Sequence, residues 1–146
     1  MSGRRLILGF LVVLAVFTAA LIYFQFFAFY QRDQESAMIE AGGRILPARD
    51  LDRIDAETSP LKLRACFRTE PALLRDLPVA KEPTPLTPPP WFDCFDVGRL
   101  SVDIASGKAQ AYQLAAGEPE GTVTIVAVYP DGRAYLWRQL AEGYAE

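Results

Sequence analysis

The chain has 146 residues, enough for one domain and an accessory segment. Its net charge of −3 is unevenly spread: Arg4 and Arg5 are the only charges in the first thirty residues, so the rest stands at −5, which excludes charge-driven binding of nucleic acid or anionic lipid. Histidine is absent, which excludes a Ser–His–Asp triad, a Cys–His pair, a histidine base and histidine-built zinc sites; two cysteines alone cannot complete a zinc site.

From Leu6 to Phe29 the chain carries no charge and one amide, Gln25. A helix of that length crosses about 30 Å of hydrocarbon with some tilt. The rivals are a cleaved signal peptide, for which Ala19 and Ala20 offer small residues, and a buried core helix. Against cleavage, the apolar run continues through Tyr23, Phe24, Phe26, Phe27, Phe29 and Tyr30, a pattern resembling an interfacial aromatic belt. Residues 6–29 therefore predict an integral anchor. Arg4 and Arg5 precede it without an acidic partner, so the positive-inside rule places the N-terminus in the cytoplasm and the remainder outside. Arginine outnumbers lysine 12 to 3, as in GC-rich bacterial genomes. The expected location is thus a bacterial inner membrane with a periplasmic domain.

Residues 31–43 read as a polar spacer, with Glu35 to Ala41 continuing as helix and Gly42-Gly43 ending it. The domain is then expected over 44–146. Leu51 to Ala56 is a candidate strand, and Thr58-Ser59-Pro60 a turn. Leu61, Leu63, Ala65 and Phe67 alternate with Lys62, Arg64, Cys66 and Arg68, predicting a strand with its apolar side inward and its basic side, Cys66 included, outward. Pro71 to Leu77 suits a helical turn, and Pro78 to Pro90 a polyproline-like crossing, with Pro85 and Pro88 as rigid spacers. Trp91 to Phe95 forms an aromatic knot expected on the core. Asp96 suits an N-cap for a helix to about Ser106 with Val97, Leu100, Ser101 and Ile104 inward, and Gly107 supplies its stop. Strands follow over Ala109 to Leu114, Thr122 to Tyr129 and Arg133 to Leu140, the last two joined at Pro130-Asp131-Gly132. The predicted fold class is α+β: an N-terminal transmembrane helix, then a small, mostly antiparallel sheet domain with one short helix and a proline-rich crossing segment.

Few features carry chemistry. Cys66 and Cys94 suit a structural disulfide in an oxidising compartment, contributing roughly 3–4 kcal/mol in the chain-entropy model. A redox pair is the alternative, although neither cysteine stands in a C-x-x-C motif. Such a bridge brings Arg64, Arg68, Asp93 and Asp96 within reach of one another. They form either a surface ion cluster or an anion site at the two arginines. Arg133, Tyr135 and Trp137 share a strand face and make a partner-binding stripe if exposed; the plainer reading packs Tyr135 and Trp137 inward. Paired aspartates as a hydrolytic acid and base are a third, weak reading. No phosphate loop, dinucleotide fingerprint or nucleophile elbow occurs.

The segments TSPLKLRACF (58–67), WFDCFD (91–96) and VAVYPDGRAYLW (126–137), together with the anchor, resemble an uncharacterised alphaproteobacterial family of small single-pass membrane proteins, a domain of unknown function. The resemblance implies an inner-membrane, periplasm-facing protein with Cys66 and Cys94 as shared features, and brings no activity. The sequence accordingly leans away from an enzyme, with no catalytic residues, cofactor or metal predicted. It points to a membrane-anchored binding or scaffolding module with an envelope protein as partner; a thiol–disulfide component is the alternative.

Overall fold

The computed structural model describes residues 2–116 and 120–143. Helix α1, Gly3–Phe26, has no buried residue, and among the described residues it is the one helix long and apolar enough to cross a membrane. It stops three residues short of the expected Phe29. The Phe27 and Ala28 amides both reach the Tyr23 carbonyl (2.9 Å each), Phe29 takes a left-handed φ of 69°, and a strand starts at Tyr30.

The segment expected as spacer carries sheet structure. Strand β1, Tyr30–Asp33, ends where the Asp33 carboxylate accepts from the Glu35 and Ser36 amides (3.0 Å each). The expected helix over 35–41 is not formed. Met38–Ala41 (β2) and Arg44–Pro47 (β3) instead form an antiparallel hairpin across Gly42 and Gly43, with φ of 58° and 74°. Two consecutive left-handed residues make a hairpin turn whose twist matches its strands, so the glycines that suggested a helix stop serve a reversal. Alternation then buries Ile39, Ala41 and Leu46 and exposes Met38 and Ile45.

Arg49–Ala56 (β4) is bulged between Arg49 and Asp52, with Asp50 at φ 52°. A 3-10 turn, Pro60–Lys62, precedes Arg64–Arg68 (β5), which is shorter than the Leu61 start expected. A second 3-10 turn spans Pro71–Leu74, and helix α2 spans Val97–Ser106. Gln110–Ala116 (β6), Thr122–Val128 (β7) and Arg133–Leu140 (β8) complete the domain. The larger sheet runs β1-β4-β5-β8-β7-β6, and each of its pairings is antiparallel.

Both faces of this sheet are covered, making three layers. One face packs Leu63, Ala65, Phe67, Val126 and Leu136 against Ile39 and Leu46 of the hairpin and against Leu74. The other packs Ile54, Cys66, Ile125, Ala127 and Trp137 against Phe92, Phe95 and Leu100. The period-two split of β5 therefore holds, and Arg68 is exposed as expected, but the rest of the expected outward face on this strand is inside: Arg64 is 4% exposed and Cys66 9%. The proline-rich crossing and the aromatic knot cover it.

Helix α2 is capped as its sequence predicts, the Arg99 amide donating to the Asp96 carboxylate (3.1 Å) and Gly107 closing at φ 84°. Its inward face differs at one position. Ser101 is exposed, while Asp103 is buried and accepts a hydrogen bond from the Tyr129 hydroxyl (2.6 Å). Burial and this bond both push the Tyr129 phenol pKa above its ordinary range, so it stays a donor.

Candidate functional site

Six prolines between residues 78 and 90 remove amide donors and forbid a ladder, so this strap depends on side chains to hold it across the sheet. It begins beside β6, where the Gln113 amide donates to the Pro78 carbonyl (2.8 Å) and the Ala80 amide to the Ala111 carbonyl (3.0 Å). Over β8 it meets Gln139. The Gln139 Oε1 accepts from the Thr84 amide (2.7 Å) and from the Trp137 indole (3.0 Å), and its Nε2 donates to the Glu82 carbonyl (2.9 Å). Over β5 it meets Arg64, whose Nε donates to the Leu86 carbonyl (2.8 Å) and whose Nη1 donates to the carbonyls of Leu63 (2.7 Å) and Leu61. At β1 it ends on Trp91, whose indole N–H donates to the Phe26 carbonyl at the end of α1.

Arg64 is a buried cation satisfied by carbonyls, with its guanidinium 6.0 Å from the Phe95 ring centroid. Burial pulls its pKa down to about 10, which leaves it charged at neutral pH.

Beneath the strap, from Gln113 on β6 past Gln139 to Leu61 and Leu86 beside Arg64, lies a cleft of about 430 Å³. Its walls are apolar at Leu61, Leu86, Val123 and Ile125, and polar groups come from Lys81, Glu82, Gln113, Gln139 and Glu142. Leu140 lines it and is 41% exposed. An apolar floor with a few amide and charged groups at the rim suits an apolar side chain or short segment anchored by polar contacts. Strand register places Tyr30 opposite Ala56, Ile54 opposite Arg64, Arg64 opposite Trp137 and Thr122 opposite Leu140. The cleft therefore lies toward the end of the sheet at which α1 enters.

The cysteine sulfurs lie at bonding distance, with Cα atoms 6.3 Å apart; Cys66 is buried and Cys94 exposed. The four charges around them are engaged separately. Arg64 holds carbonyls, Arg68 faces Asp50 (3.9 Å), Asp96 caps α2, and Asp93 is exposed near Arg32, whose pKa is raised first by Asp52 and then by Asp93. Of the strand stripe, Trp137 is fully buried edge-on to Phe95 (6.1 Å) and Tyr135 stands edge-on to Phe95 and Tyr129 (6.0 and 5.9 Å). Arg133 pairs with Asp131 (2.8 Å) over the Tyr129 ring (4.3 Å). Among the described residues no three acidic or cysteine side chains gather as a metal site requires.

Gln139 and Asp103 are the residues that sequence reasoning passed over. Each had a signal: a polar side chain at the core-facing step of an apolar pattern, Gln139 following Tyr135 and Trp137, and Asp103 between Leu100 and Ile104.

Together these features define an apolar N-terminal helix joined to a small antiparallel α+β domain whose proline strap roofs a cleft. Residues 35–146 match the model of a family of unknown function (DUF6446), and the chain belongs to that family. No curated protein and no solved structure matches the chain.

Proposed function

We propose that the chain is a non-enzymatic, single-pass binding or scaffolding module of an alphaproteobacterial inner membrane. Its N-terminus is cytoplasmic, its sheet domain periplasmic, and the strap cleft holds a short apolar segment of an envelope protein. The observation that carries this reading is the cleft itself. It has an apolar floor, a polar rim and an edge left open beside Leu140. Arg4 and Arg5 at the start of an apolar helix with no buried residue support the orientation, and a cysteine pair at bonding distance suits an oxidising compartment.

A photo-cross-linking residue placed at Leu140, inside the cleft, tests the partner in intact cells. Val102 on α2, 65% exposed and outside the cleft, is the control position. A discrete protein adduct from Leu140 and none from Val102 supports the reading; matching patterns from both, or no adduct from either, refutes it. Orientation is checked separately by fusing alkaline phosphatase, active only outside the cytoplasm, to the C-terminus.

A further inference from the structure

The stretch of α1 from Leu6 to Phe26, at 1.5 Å per residue, is about 30 Å long, the thickness of the hydrocarbon layer. With Arg4 and Arg5 at one boundary, the Phe26 carbonyl falls at the other. That carbonyl accepts from the Trp91 indole, 65 positions further along the chain. Trp91 also stacks on Phe27 (centroids 6.2 Å apart) and meets Tyr30 edge-on (5.5 Å). The sheet begins at Tyr30, so no flexible stretch separates it from the helix.

Around this junction lie side chains that no core claims. Phe27 is 52% and Phe29 60% exposed, and Phe29 stacks on Phe24 (6.1 Å) while holding a left-handed backbone that a bulky residue rarely adopts. Immediately beside them, Arg32 places its guanidinium 5.6 Å from the Trp91 centroid and Lys62 its ammonium 5.2 Å from that of Tyr30. Apolar rings at the hydrocarbon edge, indole and phenol next, and cations beyond is the order a phospholipid interface favours.

We propose that Phe27, Phe29, Tyr30, Arg32, Lys62 and Trp91 form a bilayer-docking surface that holds the β1 edge of the sheet against the headgroup–acyl boundary. This rests on α1 being a membrane anchor. The partner is the phospholipid interface itself and not an anionic headgroup, because Arg32 is already paired bidentately with Asp52 (2.9 and 2.8 Å). The domain is therefore fixed relative to the membrane, and the cleft with it.

The chain's two tryptophans separate the possibilities. Trp137 is fully buried and Trp91 lies at the junction, so the wild type and W91F together isolate the Trp91 emission. The full chain is reconstituted into phosphatidylcholine vesicles, with acyl chains brominated either near the glycerol backbone or near their ends. We expect shallow bromines to quench most of the Trp91 emission, deep bromines to quench less, and W91F to keep its emission in both. High salt should leave the result unchanged. Retention of the protein in the vesicles after alkaline carbonate, with Trp91 quenched no more than Trp137, overturns the docking surface alone. Release by carbonate overturns the anchor and the docking surface together.

Discussion

Arg64→Met replaces the buried guanidinium with a shorter apolar chain that ends near the position of Nε, and the structure sets the terms of its effect. Burial of the cation costs the fold, and that cost is what lowers its pKa to about 10. Against that stand three bonds from a charged donor, to the carbonyls of Leu61, Leu63 and Leu86, each worth about 1.5–3 kcal/mol. The methionine variant escapes the burial cost and orphans all three acceptors. Leu61 and Leu86 are half-buried, so water can reach their carbonyls, whereas Leu63 is buried and stays unpaired. The expected net loss is about 2–4 kcal/mol, or roughly 8–16 °C in Tm for a domain of this size. Guanidinium unfolding of the full chain in detergent, followed by tryptophan emission, measures it. Arg64→Lys should recover only part, since one ammonium cannot span three carbonyls. Hydrogen exchange supplies a local readout: the Thr84 amide should exchange faster while β7 stays protected. A loss below about 1 kcal/mol, or faster exchange spread evenly over the sheet, would refute Arg64 as the strap's central fastening.

Gln139→Ala removes three bonds, but Thr84 and Glu82 are exposed and only the Trp137 indole is left buried without a partner. The global loss should stay at about 1–2 kcal/mol while the Thr84 amide loses protection and the Leu140 cross-link disappears. Cys66→Ala with Cys94→Ala should lower stability by about 3–4 kcal/mol, measured by the same unfolding titration, and dithiothreitol should then have no further effect on the variant. Gly132→Ala adds a Cβ 2.7 Å from the Thr69 carbonyl oxygen at a φ of 95°; a loss of about 2–4 kcal/mol is expected, and a neutral result would mean the β7–β8 turn relaxes freely.

The sequence made legible those elements whose pattern and punctuation agree. Strands β7 and β8 are apolar runs on either side of the Pro130-Asp131-Gly132 turn, and α2 lies between an aspartate cap and a left-handed glycine. Where one signal has two physical uses, the reading went astray. Gly42-Gly43 can close a helix or turn a hairpin, and the alternation of Ile39, Ala41 and Leu46 that decides for the hairpin is too short to dominate next to Glu35 and Glu40. Cys66 and Arg64 do lie on the face opposite Leu63, Ala65 and Phe67. A periodicity, however, reports which residues share a face and not whether something lies on top of it. The cover here comes from the strap and the aromatic knot, whose contacts with β5 and β8 join residues far apart in the chain. The cleft was invisible for the same reason, being the space under a roof whose height only the tertiary structure sets.

The strap also explains how a small domain can carry both a fully packed core and an open cavity. A regular strand or helix lying on that face would supply side chains at every step and fill the space beneath. A proline-rich chain supplies few amides and short rings, so it is fastened to the sheet at only a few points. After the backbone pairs at Pro78 and Ala80, side chains make the fastenings: Arg64 from β5, Gln139 from β8, and Trp91 from the strap's own end to α1. The cleft lies beneath the strap among these sparse fastenings. Because the last of these fastenings ends on the carbonyl of Phe26, the roof of the cleft is tied at one end to the sheet and at the other to the apolar helix.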